Sequence, residues 1–159
     1  MRVLGVDPGL FRTGYAIVDQ HRHGLQYVLY GEIGPDKGTI LSHSLMTIYD
    51  RLFDLIRETG PDCMAVESVF FGKNARSLIK QAHVRGIVLL AGARSGIPVF
   101  EYSPLEIKKA VVGFGRAEKR QVQQMVKSIL KLTDLPPSDA ADAMAAAICH
   151  ANALKVSSV

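Results

Sequence analysis

Arg2-Val-Leu-Gly-Val-Asp-Pro-Gly9 is the stretch from which the fold can be read. It is short, apolar, and stopped by Asp-Pro-Gly, the pattern of a buried strand that runs into a turn. Working outward, residues 13–19 and 25–33 are two further runs rich in Val, Leu, Ile and Tyr, divided by the polar stretch Gln20-His-Arg-His-Gly24. Three consecutive strands with tight connections predict an antiparallel meander. Leu41, Leu45, Ile48, Leu52 and Leu55 then recur at helical spacing until Gly60-Pro61, which predicts an amphipathic helix. Cys63-Met-Ala-Val-Glu67 is a fourth strand. A second helix is predicted from Asn74 to Ser95; Gly86 and Gly92 inside it each cost about 1 kcal/mol against alanine, so close packing is expected there. Ile97-Pro-Val-Phe-Glu-Tyr102 is a fifth strand, and Ser103-Pro104 supplies an N-cap followed by proline at the first helical position. Helices over 103–111 and 117–132, divided by Gly113-Phe-Gly-Arg116, and a last helix from Pro137-Ser138 complete the chain. This order predicts an α/β fold: a five-stranded mixed sheet with helices on both faces. With no repeat or linker in its 159 residues, the chain is expected to form a single domain, 1–159.

Composition removes several classes of protein. Cys63 and Cys149 sit in apolar surroundings without CxxC or Cys/His spacing, so they are expected to be buried free thiols, not a disulfide or a zinc site. No apolar stretch reaches the roughly 20 residues of a membrane span, and no charged-then-apolar leader precedes the first strand, so a soluble, cytoplasmic protein is expected.

Charge is more informative in its distribution than in its sum of +4. Residues 68–131 carry twelve Lys/Arg and three Glu, whereas the rest has seven basic and twelve acidic side chains. Lys73, Arg76, Lys80, Arg85 and Arg94 follow one another with no acid between them. A polyanion suits such a patch, although a solvated helix face has the same composition. Phe70-Phe71 stands just ahead of it, and aromatics beside cations suit an unstacked base. Phe71 reads better as a staple for the following helix.

Four acids stand out against this basic background. Asp7 and Glu67 each end an apolar strand, and a right-handed crossover would make those strands parallel neighbours with both acids at one sheet edge. Asp139 and Asp142 are three apart at the start of the last helix and share a face. Acids near a helix N-terminus are stabilised by the helix dipole, so each alone has a purely structural reading. Four converging carboxylates would repel one another unless a cation neutralised them. Oxygen ligands without Cys or a His cluster select Mg²⁺ or Mn²⁺ over zinc. His43 and His83 read as surface residues of helices, and the residues around His150 assign it no role.

At this point the sequence resembles the RuvC family of Holliday-junction resolvases. The resemblance rests on Leu4-Gly-Val-Asp-Pro-Gly9 with Thr13-Gly-Tyr15, Ala65-Val-Glu67 with Val69-Phe70 and Lys73-Asn-Ala75, and Pro98-Val-Phe-Glu-Tyr102. It continues through Lys108 with Val111-Val-Gly113, Ala117-Glu-Lys119 with Gln121-Val122, and Asp139-Ala-Ala-Asp-Ala143. It implies a ribonuclease-H-like fold and a homodimer making paired cuts in opposed strands of a four-way DNA junction. The products would carry 5′-phosphate and 3′-hydroxyl ends, and a RuvA–RuvB branch-migration complex would be the partner. It also implies a catalytic and metal-binding set of Asp7, Glu67, Asp139 and Asp142, holding two Mg²⁺ per subunit with Mn²⁺ as a substitute. Phe70 matches an aromatic that stacks on a base, and Lys108 and Lys119 match lysines near the scissile phosphate. Lys73, Arg76 and Lys80 are expected to contact DNA through the basic patch.

Three other classes share parts of this pattern. An actin-like kinase would share the opening strand but needs a second lobe that 159 residues do not provide. A non-catalytic junction binder would need the basic patch but not the four acids. A ribonuclease-H-like nuclease acting on RNA is the nearest rival.

Overall fold

The computed structural model describes residues 1–68 and 75–156. Strands β1 (Arg2–Asp7), β2 (Thr13–His21) and β3 (Gly24–Ile33) are followed by α1 (Leu41–Thr59), β4 (Cys63–Glu67) and α2 (Ala75–Arg94). Then come β5 (Val99–Tyr102), α3 (Pro104–Val112), α4 (Lys119–Ile129) and α5 (Ser138–Val156). The sheet order is β3-β2-β1-β4-β5. β1–β2 and β2–β3 pair antiparallel, whereas β1–β4 and β4–β5 pair parallel, so the sheet is mixed as the sequence predicts.

Alternation along the strands divides the interior in two. Leu4, Val6, Ile17, Met64 and Val66 face one side, where Ile48, Leu52 and Ile56 of α1 and Val84, Val88 and Ala91 of α2 close over them. Val3, Ala16, Val18, Cys63 and Ala65 face the other, against α3, α4 and α5. A side-chain period of two therefore sends residues 3, 5 and 7 of β1, and 63, 65 and 67 of β4, to the α5 side. Both cysteines are free and buried; burial pushes each thiol up to about 11, leaving little of the reactive thiolate.

Several boundaries differ from the sequence reading. β5 begins at Val99, not residue 97, because the Ile97 N–H still donates to the Gly92 carbonyl at the end of α2. α4 is shorter than 117–132; Lys131 adopts a left-handed φ of 54°, which no helix continues through. Ser103 caps α3 in a capping box with Glu106, as Ser103-Pro104 indicates.

On α2 the core face is Val84, Val88, Ala91 and Gly92. A Cβ on Gly92 would come within 2.5 Å of Val99 Cγ2, so close packing at this glycine holds. It fails for Gly86, around which a Cβ would meet nothing within 4 Å. Ala82 and Gly86 are exposed and Leu90 is 48% exposed, so this side of α2 faces outward.

Candidate active site

Helix α5 decides the geometry of the acidic centre. Its sequence Asp139-Ala-Ala-Asp-Ala-Met-Ala-Ala-Ala-Ile148 is rich in small residues, and Ala140, Ala141, Ala143 and Ala145 to Ala147 are fully buried. Alanine is the best helix former and adds little bulk, so the helix can lie close to the sheet. Glycines in the strands complete the fit. A Cβ on Gly5 would overlap the Ala143 carbonyl, and one on Gly14 would overlap the Asp139 carbonyl. The first turn of α5 thus rests over the ends of β1 and β2.

Asp7 ends β1 and Glu67 ends β4, in strands whose register pairs Val6 with Val66. Both point toward α5. Carboxylate oxygens of Asp7, Asp139 and Asp142 lie within 4.8 Å of one another. Glu67 stands beside this triplet and shares a cleft of 210 Å³ with Lys108, Lys119 and Asp142. Lys119, the first residue of α4, reaches across with Nζ 3.0 Å from Asp142 and 3.8 Å from Asp139.

The electrostatics follow from crowding acids in a partly dry place. Burial, then Glu67, Asp142 and Asp139, push the Asp7 carboxyl up to about 8. Burial and Asp142 push Glu67 up to about 7, against the opposing influence of Asp7, Lys119 and Lys108. Asp142 is raised by burial and held back by Lys119. Burial disfavours the Lys119 ammonium, but Asp142, Asp139 and Asp7 outweigh it and raise its pKa. Such a constellation favours a cation of higher charge than one lysine provides. The donor set is entirely carboxylate, which suits a hard divalent ion, and the three clustered aspartates could hold it with Glu67 adjoining.

The other predicted site residues are dispersed. Lys108 is half-buried in the cleft with Glu67. Arg76 and Lys80, on the first turns of α2, line a groove of 330 Å³ with Asp7, Asp139 and the β1–β2 turn. Phe70 and Lys73, and Phe71 beside them, lie outside the described residues. His43 and His83 are exposed. His150, to which the sequence assigned no role, is buried; its Nδ1 is 2.7 Å from the Tyr102 hydroxyl and its ring 4.4 Å from that of Phe100. Burial lowers its pKa, which marks it as a neutral core residue. The sequence pattern assigns no role to Gly5 and Gly14, on which the seating of α5 depends, or to the turn residues Phe11 and Arg12. An apolar aromatic two residues after Pro8-Gly9, where turns usually carry polar residues, was the available signal.

Parallel central strands that end in acids, a meander to one side and an acidic helix across the strand ends define a ribonuclease-H-like nuclease fold. The yeast mitochondrial Holliday junction resolvase shares the fold with a TM-score of 0.68 at 14% identity, covering 98% of this chain and 80% of that one. The family model "Crossover junction endodeoxyribonuclease RuvC" matches residues 3–150, and the chain belongs to the RuvC family. The RuvC of Geobacter sulfurreducens is 46% identical over 159 residues, spanning 100% of this chain and 97% of that protein. That of Caldanaerobacter subterraneus subsp. tengcongensis is 48% identical over 151 residues, spanning 94% and 92%. Thermus thermophilus RuvC in complex with a Holliday junction substrate superposes with a TM-score of 0.92 at 30% identity, covering 99% of this chain and 96% of that one.

Proposed function

We propose that this chain resolves Holliday junctions in DNA recombination and repair by hydrolysing opposed strands, with Asp7, Glu67, Asp139 and Asp142 as the catalytic and metal-binding set. The observation that carries the reading is the meeting of acids from β1, β4 and α5 beside two lysines. Water oxygen attacks phosphorus and the 3′-oxygen leaves, giving 5′-phosphate and 3′-hydroxyl ends. Mg²⁺, two ions per subunit and replaceable by Mn²⁺, would supply activation of the water and neutralisation of the leaving oxygen.

The chain's own residues position the reactants. Asp7, whose carboxylate lies within 4.8 Å of those of Asp139 and Asp142 and is influenced by Glu67 as well, would hold the metal together with them. Glu67, Asp139 and Asp142 would supply the remaining carboxylate ligands. Lys119 keeps a positive charge at the carboxylates and is placed to meet a phosphate as it arrives, and Lys108 lines the same entry. Arg76 and Lys80 approach the DNA backbone from α2, and Lys73 and Phe70, which precede them in sequence, are read as a further phosphate contact and a base-stacking aromatic.

A homodimer gives the paired cuts a physical origin, since an isologous interface presents two identical sites. The outward face of α2, with Ile79 at 58% and Leu90 at 48% exposure, is the proposed seam. No described helix is long and apolar enough to cross a membrane. In the proposed role the protein works in the cytoplasm and receives junctions from a RuvA–RuvB branch-migration complex. The direct test sets a synthetic four-way junction beside a hairpin RNA with Mg²⁺. Symmetric cleavage of the junction alone is expected; preferential RNA cleavage would replace this reading with that of an RNA-directed nuclease of the same fold.

A further inference from the structure

The β1–β2 turn carries a feature that the carboxylate chemistry does not use. Phe11 is 77% exposed, more than any other large hydrophobic side chain among the described residues. A single exposed apolar residue means little by itself, because folded surfaces carry many. Its surroundings set this one apart. Lys80 Nζ sits 5.8 Å from the ring centroid, within cation–π range. The groove under the ring is lined by Arg12, Arg76 and Lys80 and runs without a break to Asp7 and Asp139.

The backbone of the turn that carries the ring is also fixed. Thr13, fully buried, donates from Oγ1 to the Gly9 carbonyl at 2.7 Å. A Cβ on Gly9 would overlap the Arg12 carbonyl, and a Cβ on Gly34 would come within 2.6 Å of the Phe11 carbonyl oxygen. Two close backbone approaches and a partly buried hydrogen bond thus fix the turn from both sides. An aromatic on a fixed turn, mostly open to solvent, with Lys80 against its ring and Arg76 and the Glu32-paired Arg12 lining the groove beside it, has the properties of a stacking platform for a nucleobase. Bases inside a duplex are already stacked on both faces, so only an unpaired or unstacked base can use it.

We propose that Phe11, with Lys80 against its ring and Arg12 and Arg76 beside it, binds an unpaired base of the DNA strand that leads into the carboxylate cluster. It would be a second stacking position, in addition to the one read at Phe70. The inference rests on the reading of the substrate as junction DNA.

Because the chain has no tryptophan, Phe11→Trp installs a sole tryptophan at the platform, whose emission is excited selectively on the long-wavelength side of tyrosine absorption. Titration with a four-way junction, in Ca²⁺ without Mg²⁺ and with a gel shift on the same samples, is expected to quench this emission in step with complex formation. Duplex DNA of equal length should leave it largely unquenched. Phe11→Ala should bind the junction about 5- to 150-fold more weakly, the range one base–aromatic stack is worth. Thermal unfolding should be unchanged, since the ring packs on little. A saturable gel shift with unaltered emission from the Phe11→Trp protein and undiminished Phe11→Ala affinity would overturn the platform while leaving the junction reading intact. Emission that responds equally to duplex, or to protein concentration without DNA, would also overturn it. Failure of the wild-type protein to bind any junction would remove both readings together.

Discussion

Asp142 offers the sharpest separation between a structural acid and a catalytic one. It lies in the first turns of α5, where the helix dipole alone favours a negative charge by about 0.3–1 kcal/mol. Asp142→Asn keeps the size of the side chain and removes its charge. If the residue only serves the helix, cleavage should be near normal and the protein slightly less stable. As a member of the carboxylate set, its loss should slow single-turnover cleavage by orders of magnitude while junction affinity holds or rises. Normal cleavage by a stably folded variant would take Asp142 out of the site.

The raised pKa values of Asp7 and Glu67 lead to a pH prediction. Their folded-state pKa values, about 8 and about 7, lie above the ordinary 3.8 and 4.5. The metal-free folded state therefore binds more protons than the unfolded chain across that window. Their contribution to stability is fully present below pH 4 and is lost as pH rises toward 8. A divalent cation opposes this loss, and protons compete with it. The rise in Tm on adding Mg²⁺ should accordingly be larger at pH 8.5 than at pH 6, measured by thermal unfolding at one ion concentration. Equal rises at both values would mean that the ion binds elsewhere.

Among the elements, α5 and the strands beneath it form the critical pair. Gly14→Ala places a Cβ against the Asp139 carbonyl, and the helix must move away to accept it. Overpacking of this kind costs about 1–3 kcal/mol, which is roughly 2–12 °C in Tm for a chain of this size. Cleavage should fall further than stability alone explains, because the displaced turn is the one that carries Asp139. Calorimetry with single-turnover kinetics tests this; an unchanged Tm and rate would show that α5 is not seated as described.

The whole-molecule prediction concerns assembly. Ile79 and Leu90 lie on the outward side of α2, away from the Val84–Val88–Ala91 core face. Replacing both by glutamate should leave the monomer folded, shift sedimentation to the single-chain mass, and turn paired cuts into single nicks. A double variant that still sediments as a dimer would place the seam on another surface.

At this largest scale the sequence determined the elements and their order. Apolar alternation, the turns at Pro8-Gly9 and Gly60-Pro61, and the cap at Ser103-Pro104 are local signals, and local physics sets where strands and helices begin and end. It also put Asp7 and Glu67 at strand ends and Asp139 and Asp142 on one helical face, since those placements need only a period of two or of 3.6. Three things were settled by tertiary structure alone. One is how near α5 comes to β1 and β2, which depends on backbone overlap at Gly5 and Gly14 between segments far apart in sequence. Another is the reach of Lys119 from α4 to Asp142. The last is which side of α2 is core: both sides carry apolar residues, and no pattern within a helix says which of them its neighbours will cover.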